Sequence, residues 1–411
     1  MTWLASTAHH RWLEQETDRL LVSARASRVA DGFGWLLDDG TVDAARPTEL
    51  WITCRMTHVL ALGALLGRPG CAPGVDHGVA ALAGAFHDDE HGGWYSALGP
   101  DGPTDDGKTA YAHAFVVLAA SSAAAAGRPG ARDLLADALD VSLRHFWEED
   151  AGMVRESWDR AFTTEEAYRG VNANMHTVEA YLAAADVTGD DVWLSRALRI
   201  TERVVHHFAR EHDWRLPEHF GPDWTPQLDY NLEAPAHPFR PYGATIGHWL
   251  EWSRLTLHVR AELGRRGLSA PGWMLPDAVG LFDAAVREGW DADGAPGFVY
   301  TVDFSGRPVV HERMHWVLCE GIAAAAALAA ATRDASSYDT WYRRWWDEAA
   351  EHFIDPVGGS WWHELAPDHE VSRTTWTGKA DVYHAAQATL IPRLPLAPVL
   401  APALAQGLLA D

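Results

Sequence analysis

Six times along this chain a short acidic, usually glycine-containing segment is set between helical patterns, and that repetition constrains the fold more than any other feature. The segments are DGFGWLLDDGTV from Asp31, FHDDEHGGWYSAL from Phe86, FWEEDAGMVRESWD from Phe146, FAREHDWRLPEHFGPDW from Phe208, GWDADGAPGFVYTVD from Gly289 and FIDPVGGSWWHEL from Phe353. They recur roughly every sixty residues, stretched once to about eighty where Pro217, Pro222, Pro226, Pro235 and Pro238 crowd one loop. Six helix–turn–helix units make twelve helices, which either stack as an open solenoid or close into a ring. The second helix of each unit is the richer in alanine and aromatics, as in AYAHAFVVLAASSAAAA and MHWVLCEGIAAAAALAAA, and is apolar nearly all round. First helices such as HRWLEQETDRLLVSARAS keep a charged face. An inner and an outer layer are therefore expected: an all-α (α/α)6 barrel of twelve helices in two concentric rings. No linker or low-complexity tract divides the chain, so one domain over residues 1–411 is expected.

Charge narrows the function classes. The formal net charge of −24 argues against nucleic acid and anionic membrane surfaces as partners. Cys54, Cys71 and Cys319 have no paired spacing, which fits a reducing compartment and suggests no zinc motif. The first twenty residues carry neither a basic leader nor an apolar core, and a cytoplasmic location is expected. The most apolar run, 321–331, is short and mostly alanine, a close-packed helix rather than a membrane span.

Polar residues on the inner helices are the candidates for chemistry. Trp51 and Arg55 share a face on the first, Tyr111 and His113 lie on the second, and Asn172 and His176 share a face on the third. The fourth, RPYGATIGHWLEWSRL from Arg240, brings His248, Glu251 and Trp252 to one face. Trp316 and Glu320 follow on the fifth, Asp381 and His384 on the sixth. All lie near the start of their helix, hence at one end of a barrel where helix N-termini converge. Each taken singly has a structural account: Arg55 as partner of an acidic neighbour, His58 and His113 as packing residues, Glu320 as a carboxylate bonded to an indole. Burying a ring of such groups is costly unless each is paired, and a ring of them at one level of an otherwise apolar barrel suggests a site. A glycosidase would need two carboxylates across a cleft, with Glu251, Glu320 and Asp381 available. A metal would need His176, His248 and His384 to converge without a spacing motif. Proton transfer beside a sugar carbonyl suits imidazoles with Arg, Asn and Trp better.

The stretches WITCRMTHVLALGALLG, GVNANMHTVEAYLAA, RPYGATIGHWLEWSRL, MHWVLCEGIAAA and WTGKADVYHAAQATLIPR, in that order, resemble the N-acylglucosamine 2-epimerase superfamily over nearly the whole chain. Within it they resemble the branch of aldose–ketose isomerases acting on mannose and on sulfoquinovose. The resemblance implies the (α/α)6 fold, cofactor-independent catalysis without a metal, and a cis-enediolate intermediate. It implies His248 and His384 as the acid–base pair, with His176 and Glu251 assisting ring opening. Arg55, Asn172, Arg240 and Trp316 would contact the sugar; Trp51, Tyr111, Glu320 and Asp381 are added from the helix faces above. The expected activity is interconversion of D-mannose and D-fructose, with D-lyxose and D-xylulose as a further pair. The alternatives are a sugar 2-epimerase of the mannose/glucose or N-acylglucosamine type, a sulfoquinovose isomerase and, more distantly, an (α/α)6 glycoside hydrolase or a non-catalytic sugar-binding barrel. A monosaccharide is the expected partner, bound by a monomer or homodimer. The loop from His212 to Phe239, with Trp214 and Trp224, is expected to cover the sugar. His384 is expected to be oriented by Asp381, and His248 by Glu251, three residues away in each case.

Overall fold

A computed structural model describes residues 2–410. In chain order the barrel helices are α1 (Thr7–Ala26), α2 (Leu50–Leu65), α3 (Cys71–Ala83), α4 (Ala110–Ala125), α5 (Ala131–Val141), α6 (Val171–Thr188), α7 (Asp191–Thr201), α8 (Ile246–Arg265), α9 (Met274–Gly289), α10 (His315–Ala331), α11 (Ala335–Glu348) and α12 (Tyr383–Leu390). The even-numbered helices form the inner ring, each packed on the next, and α12 returns to α2, so the ring is closed. The odd-numbered helices lie outside, α3 against α2, α5 against α4, α7 against α6, α9 against α8 and α11 against α10, while α1 covers the α12 seam. The layering follows from the side chains. Along α10 every residue from Val317 to Leu328 is buried, and the run Ala323–Ala327 lets its neighbours approach closely. On α7 and α11 only one face is buried, as expected of an outer helix.

The two ends of the barrel differ. Inner-to-outer connections are short; two of them repeat Gly-Arg-Pro-Gly, with Gly67, Gly70, Gly127 and Gly130 at positive φ where a side chain would be strained. Outer-to-inner connections are long and carry the two- and three-stranded sheets, so the loops that build a site gather at one end. A thirteenth helix, α13 (Leu400–Ala405), lies outside the expected set of twelve. It packs against α2, α4 and α6 at the other end, with Leu62, Leu390, Ala401 and Leu404 in one apolar cluster. Its six residues follow Pro395 and Pro398 and give too short a pattern to register as a helix from sequence.

The acidic residues of the repeat turn out to clamp these loops. Asp88 accepts N–H bonds from Glu90 and His91 while pairing with Lys108 at 3.1 Å, and neither side chain of the pair is exposed. Asp293 holds Arg313 at 2.8 Å and accepts from the Ala295 N–H; Asp355 holds Lys379 and accepts from Val357 and Gly358. In each unit the cation stands just before an inner helix, so one carboxylate shapes its turn and pins the start of the next inner helix.

Candidate active site

At the end where the long loops gather, a cavity of ≈ 680 Å³, including its open mouth, is lined by Trp51, Arg55, Tyr111, Asn172, His176, His248, Glu251, Trp316, Asp381 and His384. Ten of the twelve proposed residues therefore share one chamber. Most reach it from the first two turns of an inner helix. Glu320 and Arg240 are the other two. Glu320 sits behind the wall: its Oε1 holds His384 Nδ1 at 2.9 Å, and its Oε2 accepts from Arg254 Nε at 2.9 Å. Arg240 lies outside the lining residues. Its guanidinium forks onto both oxygens of Glu166, at 2.7 and 2.9 Å, and stacks 3.9 Å over the Tyr168 ring. Its charge is already committed there, so the expected sugar contact by Arg240 is not what this arrangement provides.

Both expected orienting carboxylates are corrected. Because α12 begins only at Tyr383, Asp381 precedes the helix; it caps the Tyr383 N–H at 2.8 Å and pairs with Arg55 at 3.0 Å. Glu320, on the neighbouring α10, orients His384 instead. Likewise His248 Nδ1 bonds to Glu218 Oε2 at 2.9 Å, not to Glu251; Glu218 comes from the proline-rich loop and also accepts the Thr245 N–H. Both partnerships cross between elements, and i,i+3 spacing cannot reveal them. With Nδ1–H given to a carboxylate, each imidazole keeps Nε2 as its free lone pair. The Trp316 indole stands between them, its centroid 5.3 Å from that of His248 and 5.7 Å from that of His384.

Electrostatics assign protonation states. Burial, then the charge of Arg55, holds His384 well below the ordinary imidazole value of 6.5, so it is a neutral base at neutral pH. His176, lowered to about 4 by burial, is also neutral; its Nδ1 lies 3.7 Å from Glu179 and 3.9 Å from Glu251, beyond hydrogen-bond length. Burial and then the charge of Glu320 push Glu251 well above the usual carboxylate range, against the pull of Arg254. This favours the protonated form of Glu251, whose Oε2 has no hydrogen-bond partner and whose side chain reaches the cavity. Arg55 stays charged: burial opposes it, but Tyr111 and Asp381, hydrogen-bonded to it, more than compensate.

Sequence reasoning missed a buried polar layer beyond the lining residues: Glu179, Arg254, Tyr383 and Gln387. Gln387 donates to Glu179 at 2.8 Å and Tyr383 donates to its other oxygen. It also missed His315 and His363 on the cavity wall, stacked with centroids 3.9 Å apart, His363 Nε2 bonded to the Asp381 carbonyl at 3.0 Å. Glu179 and Gln387 each lie three residues beyond a named histidine, a signal that was present and unread. His58 and His113 are structural as expected: His58 bonds to Ser122 at 2.7 Å, and His113 bridges the Thr109 carbonyl and the Trp94 N–H. His176, His248 and His384 do not form one triple. Beside the cavity, donor atoms converge instead in His176–Glu179–Glu251 and Glu251–Glu320–His384, and in the second group the Arg254 guanidinium bonds to both Glu251 and Glu320, where a cation would sit.

The mouth is aromatic. Phe239, 40% exposed at the end of the proline-rich loop, lies with its ring centroid 5.3 Å from Trp376, 5.8 Å from Tyr111 and 6.0 Å from Trp51. The loop reaches the cavity through Pro238 and Phe239, with Pro241 just beyond its end, rather than through its tryptophans. Trp214 packs beside Gly280 on α9, close enough that a Cβ there would meet it at 2.5 Å, and Trp224 stacks on Phe208.

Fold and site together define an (α/α)6 barrel with a cavity at one end lined by histidine, carboxylate, arginine and aromatic side chains. The chain belongs to the N-acylglucosamine 2-epimerase (GlcNAc 2-epimerase) family, whose model matches residues 32–388. It is 54% identical over 406 residues to a D-mannose isomerase of Thermobifida fusca, covering 98% of both chains. It is 52% identical over 405 residues to a D-mannose isomerase of Pseudomonas cannabina pv. alisalensis, covering 98% of this chain and 97% of that one. A crystal structure of D-mannose isomerase superposes with a TM-score of 0.85 at 28% identity, covering 92% of this chain and 96% of that chain.

Proposed function

We propose that this protein is an aldose–ketose isomerase that interconverts D-mannose and D-fructose by proton transfer through a cis-enediolate, working as one barrel domain. The observation that carries this reading is the pair His248 and His384, either side of Trp316, each with Nδ1 anchored by a buried carboxylate. The close relatives named above support the choice of substrate. Ring opening moves a proton from O1 and delivers one to O5; His176 as neutral base and Glu251 as neutral acid suit those steps. His384 then takes the C2 proton while Arg55 stabilises the charge that builds on oxygen, a contribution of about 3 kcal/mol for a well-placed donor. Returning the proton to C1 while His248 takes the O2 proton and delivers one to O1 gives the ketose. Glu251 and Glu320, candidates for a glycosidase pair, share Arg254 instead of facing each other across the cleft. Among the described residues lining the cavity Arg55 is the one guanidinium, and the reacting oxygen already uses it, which leaves no spare guanidinium for a sulfonate. Three free, buried cysteines and helices too short or too polar to cross a membrane are compatible with the cytoplasmic location we infer.

Incubation with D-mannose in D₂O, followed by NMR, tests the reading. Fructose should appear as the first product. Glucose formed directly would make the protein a 2-epimerase, and no conversion of any aldose would return it to the binding-barrel or hydrolase classes. The aromatic mouth adds a size limit. A β-1,4-linked disaccharide should react at under about a tenth of the mannose kcat/KM, and Phe239→Ala should narrow that gap. Equal turnover of the two sugars by the unaltered enzyme would show that Phe239 limits nothing.

A further inference from the structure

On the outer surface, away from the cavity, Glu348, His352 and His369 bring one donor atom each within 4.8 Å of the others. Glu348 ends α11, and His352 is one turn on, in the π-type extension Ala349–Phe353. His369 comes from the hairpin closed by the Leu365–Val371 bridge, where it holds φ 65°, a backbone state uncommon for a residue with a side chain. The closest contact in the group is not aligned as a hydrogen bond. Glu348 Oε1 and His369 Nε2 approach to 3.0 Å, yet both atoms are buried without an aligned hydrogen-bond partner. The His352 and His369 rings lie face to face, centroids 3.8 Å apart and tilted by 30°. The nearby Arg313 is neutralised by Asp293, so its charge does not bar a cation.

We propose that Glu348, His352 and His369 form a structural site for a divalent transition-metal ion such as Zn²⁺. Two imidazoles and a carboxylate are a donor set that zinc takes at about 2.0–2.2 Å, with ligand atoms about 3.4 Å apart, which small side-chain rotations achieve from the spacing seen. Water or Glu351, whose carboxylate is 3.9 Å from His352, completes the shell. The ion would cross-link α11 to the 365–371 hairpin. That hairpin leads directly from Glu364, whose carboxylate collects the N–H groups of Thr374, Thr375 and Trp376, into the segment that places Trp376 on the cavity rim. The site is therefore a brace behind one wall of the chamber and not part of the chemistry.

The full chain, stripped with EDTA and dialysed, is titrated with ZnCl₂ by calorimetry and thermal melting, and with CoCl₂ by visible absorption. One zinc per chain should bind at about 10 µM or tighter, and the thermal midpoint should rise by about 3 °C at a hundredfold excess over Kd. Co²⁺ should give the visible bands of a four-coordinate site, and turnover should survive stripping. His352→Ala, and His369→Asn, which tolerates the same backbone state, should each weaken binding at least about tenfold and abolish the thermal shift. Unaltered zinc uptake in both variants would overturn the assignment to these residues. No saturable uptake by the unaltered chain, with no cobalt bands, would overturn the site itself without reference to any variant.

Discussion

His384→Asn is expected to abolish isomerisation, lowering kcat/KM by about 10²–10⁴ or more, and to stop exchange of the C2 proton with solvent. The asparagine amide can still donate to Glu320, so the cavity should keep its shape while losing its base. His384 is assigned the carbon-bound proton because it stands beside Arg55, whose charge is felt at the imidazole and would also draw negative charge onto the substrate oxygen during abstraction. His248, held by Glu218 on the other side of Trp316, is assigned to the oxygens. His248→Asn should thus be badly impaired yet keep slow C2 exchange, since water can move protons between oxygens. Deuterium incorporation followed by NMR separates the two. Unchanged isomerisation by the His384 variant would remove it from the chemistry; loss of C2 exchange in the His248 variant alone would reverse the roles. The pH profile carries the same assignment. A base lowered from 6.5 stays unprotonated as pH falls through that value, so the acid limb of kcat/KM should lie below pH 6.5.

How much of this was legible in the chain depends on whether a relation is periodic. The two rings follow from repetition and from which helices are apolar all round, and the fold could be read. Residues such as Trp51, Arg55, Asn172 and His176 were found because i,i+4 spacing on an inner helix already places them on a common face. Relations between elements were not legible. Glu218 sits thirty residues before His248 in an irregular loop, and Glu320 sixty-four before His384 on another helix. Nothing local distinguishes them from surface carboxylates. Arg240, which the resemblance implied as a sugar contact, is a further case: its partner Glu166 arrives from a different repeat, which no local spacing reveals. The acidic turns are visible in the sequence as punctuation, but nothing local links them to their buried cations about twenty residues on.

That connection leads to the largest expected stability effect. In Asp88→Asn the Lys108 ammonium, with no exposed surface, loses its carboxylate and is left with the faces of Tyr95 and Phe162, 4.7 and 6.0 Å away, and the weaker pull of Asp106. Stranding one member of a buried pair costs about 3–5 kcal/mol, which for a chain of this length lowers the thermal midpoint by about 4–6 °C. Lys108→Met should cost less, because Asp88 retains Arg160 on both oxygens and the N–H groups of Glu90 and His91. The double variant should recover much of the loss. A pH series separates stranded charge from a simple packing defect. Burial already lowers Lys108 from 10.5, and Asp88 opposes that; without Asp88 the folded-state value falls further. The unfolded chain then binds the extra proton, so the deficit of Asp88→Asn should shrink as pH rises toward 10.5. Urea unfolding at several pH values measures it. A deficit that is the same at pH 7 and pH 10, or below about 1 kcal/mol throughout, would mean that the turn and not the ion pair holds this corner of the barrel.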